Sequence, residues 1–337
     1  MAPSDQAARP SLVLTAGSLG DLASAARQAE EGGFESVWST EFYDRSATIA
    51  TAAMSGSTRT VELGTAIAYA FGRTPLVLAA EARDLDEISG GRFTLGLGTG
   101  TRRMQQDWHG LDGEHPASRM EELVPLVRRL WRLHEGPIEH EGRFYRLKVT
   151  PTAPPQHPLR LDLPIFMGGV NARMIEAAGR VADGLVGHPL FTPEYVRDVV
   201  RPALARGAEH SGRGAAVPIA GYLTCSVDAD RDAARDAARA VVAFNSTVKT
   251  YESIHRLHGF EPNVERIREA WRERDFPGMA SAVTDEMLDT IALAGTPDEV
   301  RERFAERWAG TYERTLLWPP AFRGMDAIEA VVRAFSE

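Results

Sequence analysis

A carboxylate and an imidazole, each at the end of an apolar run, are the residues of this chain best placed to handle a proton. Glu41 follows "FESVWST" (34–40) and is the only carboxylate that ends a predicted strand. That makes it a candidate proton handler or hydrogen-bond anchor, with Tyr43 and Asp44 close behind. His188 ends "DGLVGHP" (183–189), and an unperturbed imidazole titrates near neutral pH. Two glycine-rich ends offer a different chemistry. In "MGGVNAR" (167–173), Gly168 and Gly169 clear space, and Asn171 can cap a helix that Ala172 begins. The unpaired N–H groups and dipole of such a first turn favour an anion, and Arg173 adds positive charge. "GTGTRR" (98–103) sets the Thr99 and Thr101 hydroxyls beside Arg102 and Arg103, an anion clamp or equally a solvated loop. Neither stretch completes a dinucleotide fingerprint or a P-loop.

Apolar runs alternate with amphipathic stretches along almost the whole chain. "SLVLTAG" (11–17), 34–40, "VELGTAIA" (61–68) and "RFTLGLGTG" (92–100) read as strands. Residues 164–168, 183–189, "VPIAGYLTCSV" (217–227) and "RTLLWPP" (314–320) supply four more. Helices follow each, among them 21–33, a stretch Pro75 can open, about 117–134, 296–308 with Thr296 and Pro297 at its start, and 324–335. "PIEHEGRFYRLKV" (137–149) reads as an inserted hairpin turning near Glu141–Gly142, and 245–290 as an inserted segment with two helices. Eight strand–helix units predict an α/β fold, a single (β/α)8 TIM barrel domain over 1–337 with these insertions. A doubly wound open sheet is the alternative. In a barrel, chemistry sits at the C-terminal ends of the strands, where the residues above fall.

Composition narrows the function. With 43% hydrophobic and 25% charged residues and a net charge of −9, the chain presents no basic surface for nucleic acid or anionic membranes. No apolar run spans a bilayer, and the first ten residues show no secretory leader. The lone Cys225 excludes an internal disulfide framework and reads as core, so a cytoplasmic protein is expected. His255 and His258 lack an acidic partner pattern, so no metal is expected.

The pieces "GFESVWSTE" (33–41), "VELGTAIAYAFGRTPLVLA" (61–79), "LDEISGGRFTLGLGTG" (85–100), "EGRFYRL" (141–147), "PIFMGGVNARMIEAAGRVADGLVGHP" (164–189) and "GTPDEVRERF" (295–304) occur in order over nearly the whole chain. Together they resemble the bacterial luciferase-like monooxygenase superfamily, and within it the oxidoreductases that use coenzyme F420. The resemblance implies a homodimeric TIM barrel with a deazaflavin or flavin over the strand ends. It implies a non-prolyl cis peptide at Ala66–Ile67 behind the ring, with Glu41 and Tyr69 beside it. Thr99 and Gly100 match the fourth-strand cofactor contacts. Gly168, Gly169, Val170, Asn171, Arg173 and Met174 match the phosphate-binding turn. Phe42 stands where many relatives place a catalytic histidine, and Thr101 where the sugar-phosphate dehydrogenases place a glutamate. The acid or base then falls among Glu41, Tyr43, Asp44 and His188. Expected activities are hydride transfer between F420 and a small organic molecule, FMN-dependent monooxygenation with a partner reductase, or cofactor binding without turnover.

Overall fold

The computed structural model describes residues 9–336, so most of the segment on which no secretory leader is expected lies outside the described residues. The strands, in chain order, are β1 (Ser11–Leu14), β2 (Ser36–Ser39), β3 (Glu62–Thr65), β4 (Ala68–Tyr69), β5 (Phe93–Gly98) and β6 (Ile138–Glu141). Then come β7 (Arg146–Val149), β8 (Ile165–Gly168), β9 (Gly184–Val186), β10 (Ile219–Val227), β11 (Leu293–Gly295) and β12 (Arg314–Trp318). Eight of them pair in parallel in the ring β1-β2-β3-β5-β8-β9-β10-β12, and β12 returns to β1. The expected TIM barrel is the fold, and its closure excludes the open doubly wound sheet. β6 and β7 form the expected hairpin, and β4 and β11 are short additions beside β5 and β10.

Helices α1 (Leu19–Glu31), α2 (Ala47–Ser55) and α3 (Pro75–Ile88) cover the first staves. After β5 come α4 (Arg102–His109) and α5 (Pro116–Trp131), then α6 (Ala172–Val181), α7 (Pro193–Tyr195) and α8 (Arg201–His210). α9 (Arg231–Ser246) leads into an inserted set, α10 (Glu252–Leu257), α11 (Glu261–Glu273), α12 (Phe276–Ser281) and α13 (Asp285–Ile291). α14 (Pro297–Arg303) and α15 (Gly324–Phe335) complete the shell. Side chains fix several starts. Ser18 and Asp21 exchange hydrogen bonds across the first turn of α1, and Thr74 caps α3 ahead of Pro75.

Successive strand residues face opposite sides of the wall. Leu12, Leu14, Val37, Leu63 and Leu95 pack outward against the helices, while Val13, Trp38, Val186, Ala220 and Leu316 fill the barrel. Trp38 is fully buried and leans across Gly64, where a Cβ would come within 2.3 Å of its ring. At the N-terminal end, Trp38 Nε1 donates to Ser36 Oγ at 2.7 Å and Ser36 Oγ to Ser11 Oγ at 2.6 Å. Arg314 bridges Glu35 and Glu62 there at 2.8 and 2.7 Å. That floor is occupied by its own polar pairs, and the opposite end is where ligands can enter.

Three local expectations change. Strand 61–68 is two pieces, β3 and β4, broken at the Ala66–Ile67 bond, which is cis. The stretch expected as a loop after β5 holds α4, which buries only Gln105 and so carries no apolar stripe to announce it. The inserted segment holds four short helices rather than two; Pro262, Asp275 and Thr284 mark three of their starts.

Candidate active site

The end of β2 builds the mouth. Ser39 O accepts from Ala66 N–H at 2.7 Å, and Glu41 N–H donates to Ile67 O at 3.1 Å, so the strand grips both sides of the break between β3 and β4. Between them, the hydroxyls of Thr40 and Tyr222 lie 2.7 Å apart and both abut the Ala66 carbonyl. Two hydroxyl protons serve these three close oxygens, so either both donate to the carbonyl or one is relayed through the other. Burial pushes the Tyr222 phenol well above its usual pKa, and it stays neutral.

Glu41 belongs to the same frame. Its Oε2 accepts from Tyr69 N–H at 2.8 Å, and Arg73 Nη1 reaches Oε1 and Oε2 at 3.0 and 2.9 Å. Both side chains are 12% exposed, and Arg73 also holds Glu81 at 2.8 Å. This placement makes Glu41 a hydrogen-bond acceptor and ion-pair partner within the frame. Burial and the Glu41 carboxylate push the Tyr69 phenol up, and its ring meets His109 edge-on at 5.4 Å.

The glycines of the opening pattern have a steric reason. Ile67 lies across the ends of two staves, and a Cβ on Gly98 or Gly168 would meet it at 2.0 or 3.2 Å. Gly169 tucks against the first turn of α6, where a Cβ would meet Met174 Cγ at 3.1 Å. The space cleared by these glycines is therefore filled by protein. What remains open is the helix start. Asn171 occupies the cap position, but its side chain makes no cap bond, contrary to expectation. Its carbonyl accepts from Met174 and Ile175 N–H. Among the described residues nothing accepts from the N–H of Ala172 or Arg173, and both residues are exposed. Val170 O takes a hydrogen bond from Tyr195 OH at 3.1 Å. Arg173 does not stand as a free charge, because Glu121 holds it at 2.8 and 2.5 Å.

On the neighbouring rim, Gly100 takes a left-handed φ of 64° against Tyr69 and Met104, and Thr99 OH donates to Gly100 O at 3.0 Å. Thr101 caps α4, placing Arg102 and Arg103 in exposed pairs with Glu114 and Asp107. Tyr43 is 72% exposed in a cluster with Phe42 and Trp108, and Asp44 is exposed beside it.

His188 is half-buried, its ring 3.9 Å from that of Tyr251, which the inserted segment brings over the mouth. Leu190 N–H donates to Nδ1 at 3.2 Å, which leaves the ring proton on Nε2. Burial and the nearby His255 lower its pKa to about 3, so the near-neutral titration expected of it does not hold. Tyr251 is pushed up to about 12 by burial. The mouth thus gathers Glu41, Ala66, Ile67, Tyr69 and His188, with Tyr43 and Asp44 outside on the rim. Sequence reasoning missed Thr40, Arg73 and Tyr222. The inward register of Tyr222 in its strand was the available signal. Cys225 is buried in β10, as core packing requires.

The profile of a family described as luciferase-like monooxygenase matches residues 3–314. A 5,10-methylenetetrahydromethanopterin reductase of Archaeoglobus fulgidus is 31% identical over 286 residues, 82% of this chain and 83% of that protein. The solved structure of the coenzyme F420-dependent tetrahydromethanopterin reductase from Methanopyrus kandleri covers 98% of both chains with a TM-score of 0.81 and 26% identity. An FMN-bound type II Baeyer–Villiger monooxygenase of Pseudomonas putida shares the fold, with a TM-score of 0.66, 15% identity and coverage of 98% and 96%.

Proposed function

This chain belongs to the luciferase-like monooxygenase family and is an oxidoreductase, and from that premise we propose that it uses coenzyme F420 to transfer a hydride to or from a small organic substrate. The likeness to the F420-dependent reductase over 98% of both chains carries this reading. Two places in the structure support the fit. At the start of α6 the N–H groups of the exposed residues Ala172 and Arg173 have no acceptor among the described residues, a donor set suited to a phosphate. Behind the mouth, the Ala66–Ile67 turn is fixed by hydrogen bonds from Thr40, Glu41 and Tyr222, so a ring resting there meets a rigid wall.

On this reading Ala66, Ile67 and Tyr69 back the ring, Thr99 and Gly100 flank it, and Gly168 to Met174 hold the phosphate. When bound, F420 supplies a carrier of two electrons and a proton as hydride, and the protein supplies orientation and a dry site. Glu41 keeps the wall in place through Tyr69 N–H and Arg73. His188, neutral at pH 7, presents Nε2–H as a hydrogen-bond donor that can polarise a substrate oxygen without first losing a charge. Tyr251 lies against that ring. Exposed Ile49 on α2 and Leu76 and Val77 on α3 support a homodimer, and the composition supports a cytoplasmic, single-domain enzyme.

A titration of the purified protein with F420 and, separately, FMN, each oxidised and reduced, tests this. Tight F420 binding with FMN indifferent is the expected result. FMN preferred, with oxygen consumed on adding reduced flavin, would overturn it in favour of monooxygenation with a partner reductase; binding of F420 without turnover of any carbonyl or alkene substrate would leave a cofactor-binding protein.

A further inference from the structure

Three polar atoms at the mouth keep accessible surface and have no hydrogen-bond partner among the described residues: Nε2 of His188 and the hydroxyls of Tyr251 and Tyr69. They come from distant parts of the chain. Tyr69 ends β4, His188 follows β9, and Tyr251 closes the helical turn Lys249–Tyr251 at the entry to the inserted helices. Folding nevertheless gathers them. The Tyr251 ring lies 3.9 Å from that of His188. Burial, then the Glu41 carboxylate, then the Tyr251 phenol raise the pKa of Tyr69, so the two hydroxyls lie near each other. Each of the three groups is an uncharged donor at pH 7. Burial keeps both phenols protonated, and the imidazole holds its proton on Nε2 because Nδ1 accepts from Leu190 N–H.

Donors that the protein leaves unspent select an acceptor. A carbonyl oxygen has two lone pairs and takes two such donors, whereas a hydrocarbon edge would leave both unmet. Charge selects the kind of acceptor. Arg73, the cation beside Tyr69, is held by Glu41 and Glu81, so a carboxylate among these neutral groups would go uncompensated and an uncharged oxygen would not. Tyr69 belongs to the wall behind the proposed ring site, while Tyr251 belongs to no stave and faces His188. We propose that Tyr251 and His188 form a two-donor clamp for the oxygen of a small, uncharged carbonyl compound, so that the inserted segment touches the substrate directly. Naming the bound molecule the substrate rests on the hydride-transfer reading; the clamp itself does not.

The test titrates the protein, without cofactor and then with F420, with cyclohexanone labelled with ¹³C at the carbonyl, and follows the carbonyl stretch by infrared spectroscopy. Saturable binding in either state, with the stretch moved below its frequency in water, is the expected result. In Tyr251→Phe the band should move back up and Kd rise about fivefold, the size of one neutral hydrogen bond. The lost hydroxyl bonds nothing among the described residues, so Tm and F420 affinity should stay as they were. Cyclohexanecarboxylate should bind no more tightly than the ketone. Should Tyr251→Phe not fold, the same band shift in His188→Leu, which removes Nε2–H, decides. No saturable ketone binding, a band unmoved by the substitution, or tighter binding of the carboxylate would overturn the proposal. So would an F420 affinity that falls in Tyr251→Phe as far as the ketone's, since Tyr251 would then hold cofactor. A wild-type protein that ignores F420 would refute the cofactor reading, while the ketone titration without cofactor still judges the clamp.

Discussion

Replacing Glu41 by Gln separates an anchor from a proton handler. The change keeps an acceptor for Tyr69 N–H but removes the charge that Arg73 holds through two contacts at 2.9 and 3.0 Å. Breaking a fully buried pair costs about 3–5 kcal/mol. Here both groups are 12% exposed, and Glu81 remains on Arg73, so about 2 kcal/mol is expected. At about 2.1 cal/mol/K per residue, a chain of 337 residues has an unfolding entropy of about 0.7 kcal/mol/K, and Tm falls by about 3 °C. A melt and a urea titration measure this. Cofactor affinity should fall with stability, because the wall against the ring loosens, and Glu41→Gln/Arg73→Met should lose less than the sum of the single changes. The reasoning fails if Glu41→Gln leaves Tm and cofactor affinity unchanged while abolishing the pH dependence of turnover, since Glu41 would then be moving protons.

Tyr222→Phe leaves the Ala66 carbonyl to Thr40 alone, and a loss of about 1 kcal/mol in urea unfolding with weaker cofactor binding is expected. Gly98→Ala drives a Cβ to within 2.0 Å of Ile67 Cδ1, a side-chain end that can move, so cofactor affinity in a fluorescence titration should fall more than Tm. His188 and His255 are held down by burial, to about 3 and about 4, below the 6.5 of the unfolded chain. The unfolded state therefore takes up their protons first, stability is full above pH 6.5, and it drains away as pH falls toward 4 and 3. Urea melts between pH 7 and pH 5 should show that slope, reduced in His188→Gln. Burial raises the Glu30 carboxyl, but N–H donors from Thr60, Val61 and Arg59 and the Thr60 hydroxyl outweigh it and hold the pKa near about 2, so its stabilisation is present above pH 4.5 and lost toward pH 2. Glu30→Gln should lower Tm at pH 7 and flatten the acid limb of the melt below pH 4.5.

The barrel was legible because its signal is local: β-branched runs of strand length, interrupted by caps such as Thr74–Pro75 and Thr296–Pro297. The Ala66–Ile67 break came from family resemblance, since nothing in "GTAIAYA" marks it. α4 escaped notice because Gln105 alone is buried and a polar helix has no periodic stripe. The site was legible in its positions and less so in its roles. Glu41 finds Arg73 32 residues away and Thr40 finds Tyr222 182 residues away, and such pairs leave no local pattern. Arg173 reads as a free charge until α5 brings Glu121 against it. His188 reads as a neutral-pH titrator until the inserted segment lays Tyr251 on its ring.

β10 has a division of labour along its length. Residues 219–224 bond to β9 and β12 and complete the ring, whereas Cys225 to Val227 bond only to β11, beyond it. The helices between α9 and β11 are thus spliced in downstream of the last ring contact. They can be grafted from one relative to another, or rebuilt by selection, without unpairing a stave. Because that graft carries Tyr251 and His255, a chimaera would inherit a new basicity for His188, a residue the graft does not contain. The protonation of the barrel's own imidazole would then change by exchange of a single cassette that holds none of the staves.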